Sequence, residues 1–131
     1  MDFSATRIMT DDVKVLVSFY EQVTGIEASW LHELFAEIRT GSGTLAIAST
    51  ATVPLLGEGV AEARANRSVT LDFRVDDVDA LYPSLRDTVG VFVNEPTDMP
   101  WGNRSLLFRD PDGNLVNFFT PLGAARDRSA S

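Results

Sequence analysis

The sequence predicts an α+β protein built from two β-α-β-β-β modules, and three observations predict it. Sliding the chain along itself by 65 residues superposes two acidic, amphipathic stretches. Each stretch carries helical spacing after an apolar alternation. Each closes on a glycine and is followed by strand signals separated by turn residues.

The offset places Asp11 on Asp76, Asp12 on Asp77, Val13 on Val78, Leu16 on Leu81 and Gly25 on Gly90, with Ile26 meeting Val91. A first strand precedes each acidic pair, with Ile8 and Thr10 matching Phe73 and Val75. The aspartates suit helix N-termini, where a carboxylate accepts from unpaired backbone N–H groups. Val13, Leu16, Val17 and Tyr20 follow i, i+3, i+4, i+7 spacing, and Val78, Leu81, Tyr82 and Leu85 repeat it. Gly25 and Gly90 suit left-handed helix stops. Pro83 falls inside the second helix and is expected to weaken or bend it.

Strands are expected at 27–31, 34–40 and 44–50 in the first half and at 91–95, 104–109 and 114–120 in the second. Gly41-Ser42-Gly43 and Asp110-Pro111-Asp112-Gly113 supply the hairpin turns. Residues 51–67 form a linker rich in small residues, with a helical turn expected at 60–65. Residues 124–131 are small and polar and are expected to fray. A half of roughly 60 residues buries only a marginal core alone, so the halves are expected to pack their sheets around a shared concavity. The organisation is one domain over 1–131: a module at 4–50, a linker at 51–67, a module at 68–122 and a tail at 123–131.

Composition narrows the chemistry. Hydrophobic residues make up 44% of the chain, enough for a true core. No apolar run approaches the ~20 residues of a membrane-spanning helix. The start, MDFSATRIMTDD, lacks a charged-then-apolar leader pattern, so a cytoplasmic protein is expected. Absence of cysteine removes disulfides, thiolate nucleophiles and zinc–sulfur sites. Eleven basic against nineteen acidic residues give a net charge of −8, which disfavours nucleic acid as a partner. The single histidine, His32, supports neither a His–His metal motif nor a two-imidazole relay. No glycine loop opens a helix as a phosphate site requires, and no serine has a positioned base.

Three stretches carry a family resemblance: TDDVKVLVSFYEQVTG at 10–25, FRVDDVDAL at 73–81 and PWGNRSLLFRDPDGNLVNFF at 100–119. Through them the chain resembles the vicinal oxygen chelate superfamily of glyoxalase I, extradiol dioxygenases and bleomycin resistance proteins. The resemblance implies two βαβββ modules whose sheets form a cup-like incomplete barrel, often in a homodimer. It also implies where metal-dependent relatives carry their ligands. One lies seven residues before each capping aspartate, at Ala5 and Thr70; one lies four residues after each turn glycine, at Ile47 and Asn117. Alanine and isoleucine offer no lone pair, and threonine and asparagine offer only neutral oxygens. Divalent transition metals favour imidazole, thiolate and carboxylate. No metal and no other cofactor is therefore expected, and metal-dependent glyoxalase or dioxygenase activity is not.

Strand alternation nominates cavity residues. If Ala5 and Thr70 point inward, so do Arg7, Met9, Asp72 and Arg74, while Asn117 brings Phe119. The alternative is that Arg7, Asp72 and Arg74 simply pair with one another. Trp30 and Trp101 offer stacking surfaces for a planar ligand, or else serve the core or a dimer interface. His32 beside Glu33 reads as a surface histidine in a turn, Asp110 and Asp112 as turn residues, and the paired aspartates as helix caps.

The leading expectation is a metal-independent protein that binds a small organic molecule, aromatic or cationic, and sequesters it as bleomycin-resistance-like proteins do. One alternative is a lyase, isomerase or dioxygenase-like enzyme of the same fold, metal-free or with an atypical metal site, using Arg7, Asp72 and Arg74. The other is a regulatory or structural dimer whose concavity is filled by Phe35, Phe108 and Phe119.

Overall fold

The computed structural model describes residues 1–123; the expected frayed tail lies outside the described residues. The chain divides into two compact units, Met1–Asn66 and the residues from Arg67 onward. The first holds strand β1 (Ala5–Thr10), helix α1 (Val13–Thr24), and strands β2 (Ser29–His32), β3 (Phe35–Arg39) and β4 (Thr44–Ser49). Its sheet runs β1-β4-β3-β2, with β1 parallel to β4 and the other pairs antiparallel. The second holds β5 (Thr70–Arg74), α3 (Val78–Leu85), β6 (Val91–Phe92), β7 (Thr97–Asp98), β8 (Asn103–Arg109) and β9 (Leu115–Pro121). Its sheet runs β5-β9-β8-β6, with β7 also on β8 and β5 parallel to β9. Each unit is thus a βαβββ module with a mixed sheet, and neither sheet closes into a barrel. The repeat survives in the starts of the elements: 5 against 70 for the first strands, 13 against 78 for the helices.

The punctuation works by the expected chemistry in the first unit. Asp12 Oδ1 accepts from Val15 N at 3.2 Å, and Gly25 stands at φ 71°, its N–H donating to Glu21 O at 2.9 Å. One face of α1 buries Leu16, Val17 and Tyr20 against Ala36, Ile38 and Ile47 of the sheet. In the second unit the N-terminus repeats, with Asp77 Oδ1 accepting from Asp79 N and Ala80 N. Its C-terminus does not. Helix α3 stops at Leu85, and Gly90 is not at positive φ, contrary to the expected glycine stop. Pro83 has no N–H for the carbonyl four residues earlier, so the last turn tightens instead, with Arg86 N donating to Pro83 O and Thr88 N to Leu85 O.

The core of the second unit is a chain of edge-to-face rings: Tyr82, Phe92, Phe108, Phe118 and Phe73, with successive centroids 5.2, 6.1, 5.0 and 5.6 Å apart. Thr120 Oγ1 accepts from Val78 N and donates to Val75 O, tying β9 to the start of α3. These contacts mark the helix side of that sheet.

Three further expectations are corrected. The helical turn in the linker lies earlier than 60–65, in a 3-10 turn at Thr50–Thr52 running into α2 (Val53–Leu56). Ser49 Oγ accepts from Ala51 N to start it, and Pro54 is accommodated in the first turn. Arg64 takes a positive φ of 62°, which a helix at 60–65 does not allow. The strand expected at 91–95 is shortened to β6 at Val91–Phe92, and β7 at Thr97–Asp98 is an additional short strand. Between them Asn94 replaces the ladder, its Oδ1 accepting from Leu107 N at 2.8 Å. Ile47 does not share a face with Ala5. In the first hairpin Arg39 pairs with Thr44, leaving four residues between; in the second Arg109 pairs with Leu115, leaving five. The shorter loop shifts β4 by one residue, which turns Ile47 to the helix side, fully buried opposite Ile8. Ala46, opposite Arg7, takes the corresponding place.

Candidate functional site

Each sheet has one face against its helix and one face turned away from it. In the first unit the away face carries Ala5, Arg7 and Met9 on β1 beside Thr44, Ala46 and Ala48 on β4, then Arg39, Glu37 and Phe35 on β3. Two alanines on the middle strand leave the surface low. Arg7 reaches over them and sets its guanidinium 4.8 Å from the centroid of the Phe35 ring. Glu37 and Arg39 pair with each other at 2.7 Å. Met9 is half-buried next to Ala48.

In the second unit the away face holds two adjacent rows. One is Asp72, Asn117 and Leu107 across β5, β9 and β8; the next is Arg74, Phe119 and Ser105. Asn117 Nδ2 donates to Asp72 Oδ1 at 3.2 Å. An ionised carboxylate only accepts, so this contact fixes the amide, turning Asn117 Oδ1 away as an acceptor. That oxygen is buried and has no hydrogen-bond partner, and the same holds for Ser105 Oγ, whose residue is 2% exposed. Orphaned polar atoms of this kind are uncommon in folded proteins. Asp72 and Arg74 are exposed, and no ion pair joins them among the described residues. Within the second unit Asp72 is therefore engaged by Asn117 and not by Arg74, the pairing offered as the alternative.

The structure brings Asp72, Arg74, Asn117 and Phe119 into one patch and sets Arg7 beside Met9 on the corresponding face of the first unit. It separates Trp30 from these. Trp30 pairs with Ala36, which puts it on the helix side of the first sheet. There it lines a shallow, open depression of about 320 Å³ with Lys14, Leu31, His32 and Glu33. Trp101 is 73% exposed on the turn between β7 and β8, so it is not a core residue. Thr70 heads the patch on β5, exposed. Asp110 is spent on its hairpin: Oδ1 accepts from Asp112 N and Asn114 N, and Oδ2 from Asn114 Nδ2. Ser105 was not nominated from the sequence. Strand alternation places it with Leu107 and Arg109, but only the register of β8 against β9 sets it beside Phe119.

A model of the Glyoxalase/Bleomycin resistance protein/Dioxygenase superfamily matches residues 3–118. The chain belongs to this superfamily. It is 33% identical over 122 residues to the uncharacterized protein YraH of Bacillus subtilis (strain 168), covering 88% of this chain and 95% of that one. Among solved structures it is similar to a glyoxalase/bleomycin resistance protein/dioxygenase family enzyme from Burkholderia phytofirmans PsJN, with TM-score 0.81 and 22% identity over 93% of this chain and 100% of that one. A glyoxalase/bleomycin resistance protein/dioxygenase from Nocardioides gives TM-score 0.74 and 26% identity over 95% and 85%. These likenesses carry the two-module architecture across nearly the whole chain.

The superfamily's metal chemistry does not fit the side chains at the corresponding positions. They are Ala5, Ala46, Thr70 and Asn117, with Ile47 on the opposite face. No imidazole or carboxylate stands at any of the four. Glu37 stands across the ladder from Ala46 and Asp72 from Asn117, but Arg39 pairs with the first and Asn117 donates to the second. Among the described residues no group of three or more histidine, cysteine, aspartate or glutamate side chains is placed to hold an ion. No helix among them is long and apolar enough to cross a membrane.

Proposed function

We propose that this chain is a metal-independent small-molecule binding protein of the bleomycin-resistance-like type, which sequesters an aromatic or cationic organic compound. The observation that carries the reading is the pair of orphaned polar atoms beside exposed charge on the away face of the second sheet. Asn117 Oδ1 is held as an acceptor by its bond to Asp72, so it is completed by an N–H or O–H donor. Asp72 adds negative charge for a cation, and Phe119 in the next row offers an apolar contact. Arg74 and Ser105 complete the second row and suit an acceptor elsewhere on the same molecule. A net charge of −8 favours the approach of cations.

Binding of this kind forms and breaks no bond. It rests on apolar burial, about 25 cal/mol per Å² as an upper guide, and on a few oriented polar groups. Arg7 and Met9 are further candidate contacts, and exposed Trp101 is a stacking candidate. The same reading takes the protein as cytoplasmic, protective against an antibiotic-like compound and homodimeric. Light scattering is expected to give twice the chain's mass.

Tryptophan fluorescence titrated with a panel of planar cationic antibiotics tests the proposal. At least one compound is expected to quench saturably, and the Asp72→Asn variant is expected to lose affinity for it. A panel with no response contradicts the reading.

A further inference from the structure

We propose that the depression on the helix side of the first sheet is a second binding site, and that it takes a monocyclic aromatic carboxylate. Its residues belong to α1 and to β2 with the turn that follows, and none of them belongs to the patch on the second sheet. Trp30 and Leu31 are 45% and 58% exposed. Two adjacent large apolar side chains on an edge strand are an uneconomical surface for water, and the indole offers a planar face for stacking.

The polar lining sets the charge of the ligand. Lys14 contributes an ammonium. His32 Nδ1 accepts from Leu34 N at 3.1 Å, so that nitrogen carries no proton. With Nδ1 engaged as an acceptor, Nε2 is the ring nitrogen left to donate. A cation and an N–H donor beside an exposed indole match a ring that carries a carboxylate. Glu33 is the one acceptor charge in the lining, and it works against an anion. A volume of about 320 Å³ lies at the small end of ligand sites, which limits the occupant to one ring.

Phenylacetate and phenethylamine, equal in ring and opposite in charge, test the site on the intact chain by the indole N–H resonances of the two tryptophans, assigned with Trp30→Phe. Phenylacetate is expected to move the Trp30 resonance saturably, with a dissociation constant on the order of 1 mM, and phenethylamine to leave it in place. Lys14→Ala is expected to weaken phenylacetate by ~5-fold and Glu33→Gln to tighten it by ~2-fold, as removal of an attractive and a repulsive charge at an exposed site requires. Both side chains are exposed, so folding is not at stake. A Trp30 resonance that does not respond, a stronger response to phenethylamine, or affinity indifferent to Lys14→Ala overturns the proposal. None of these outcomes bears on Asp72 and Asn117, whose ligand is read separately.

Discussion

Asn117 is where stability and function pull apart most clearly. Its Nδ2 bonds Asp72 while its Oδ1 is buried and unmatched, a burden that a purely structural residue would not carry. Asn117→Leu removes the orphaned oxygen and fills similar volume. Urea denaturation is expected to show stability unchanged or raised, by up to ~1 kcal/mol, while ligand affinity falls. Ile47 is the opposite case. Fully buried under α1, it is a packing residue and not a lost metal ligand. Ile47→Ala is expected to cost about 2–5 kcal/mol in the same experiment, through the lost methylenes and the cavity left behind. Faces were readable from the sequence for the first strands, because β1 and β5 alternate without interruption and Arg7, Met9, Asp72 and Arg74 share their face with Ala5 or Thr70. Ile47 was not readable in this way. A one-residue difference in hairpin length inverts the face, and nothing in Gly41-Ser42-Gly43 announces it.

At the scale of elements, the two helices share an N-terminal device and differ at the other end. Helix α1 runs three turns to a left-handed glycine; α3 is interrupted by Pro83 and ends early. Pro83→Ala restores a backbone donor and is expected to stabilise the chain by ~1 kcal/mol or more, read as a shift in the denaturation midpoint. Beside its buried Val78 and Leu85 and the Thr120 tie, α3 has a polar clamp. Arg104 on β8 donates to Asp79 on α3 at 2.8 and 3.1 Å and to Asp98 on β7 at 2.9 Å. The hydrogen bond it donates to Asp79, then the one to Asp98, holds the guanidinium above its ordinary pKa. A raised folded-state pKa contributes stability below the unfolded value, lost only as pH rises through the folded value. For an arginine that window lies above any working pH. Arg104→Met is therefore expected to loosen α3 alike at neutral and mildly alkaline pH, seen as faster amide exchange in α3 and β7. The capping aspartates, the Gly25 stop and the Asp110–Gly113 turn were legible because each acts within a few residues of itself. The break after β6 and the Arg104 clamp were not, since each depends on a partner many residues away or on a side chain standing in for a ladder. The linker helix was misplaced although its signals, Ser49 and Pro54, are local.

Across the whole molecule, the repeat at 65 residues defines both modules, and the superfamily follows from them. The site resolves into two patches of different character. The away face of the second sheet joins a carboxylate, a fixed amide and a buried hydroxyl, whereas Trp30 stands with Lys14 on the helix side of the first sheet. The sequence placed Trp30 with the others because strand order and pleat do not show which side of a sheet its helix covers; only the pairing of Trp30 with Ala36 does. The most direct test of metal-independent binding is calorimetric titration of chelator-treated protein with the compound that quenches its fluorescence, repeated after zinc, manganese or iron is added. Equal affinity is predicted with and without metal, together with loss of binding in a folded Asp72→Ala, Asn117→Leu double variant. Binding that appears only when a divalent ion is supplied would contradict the account.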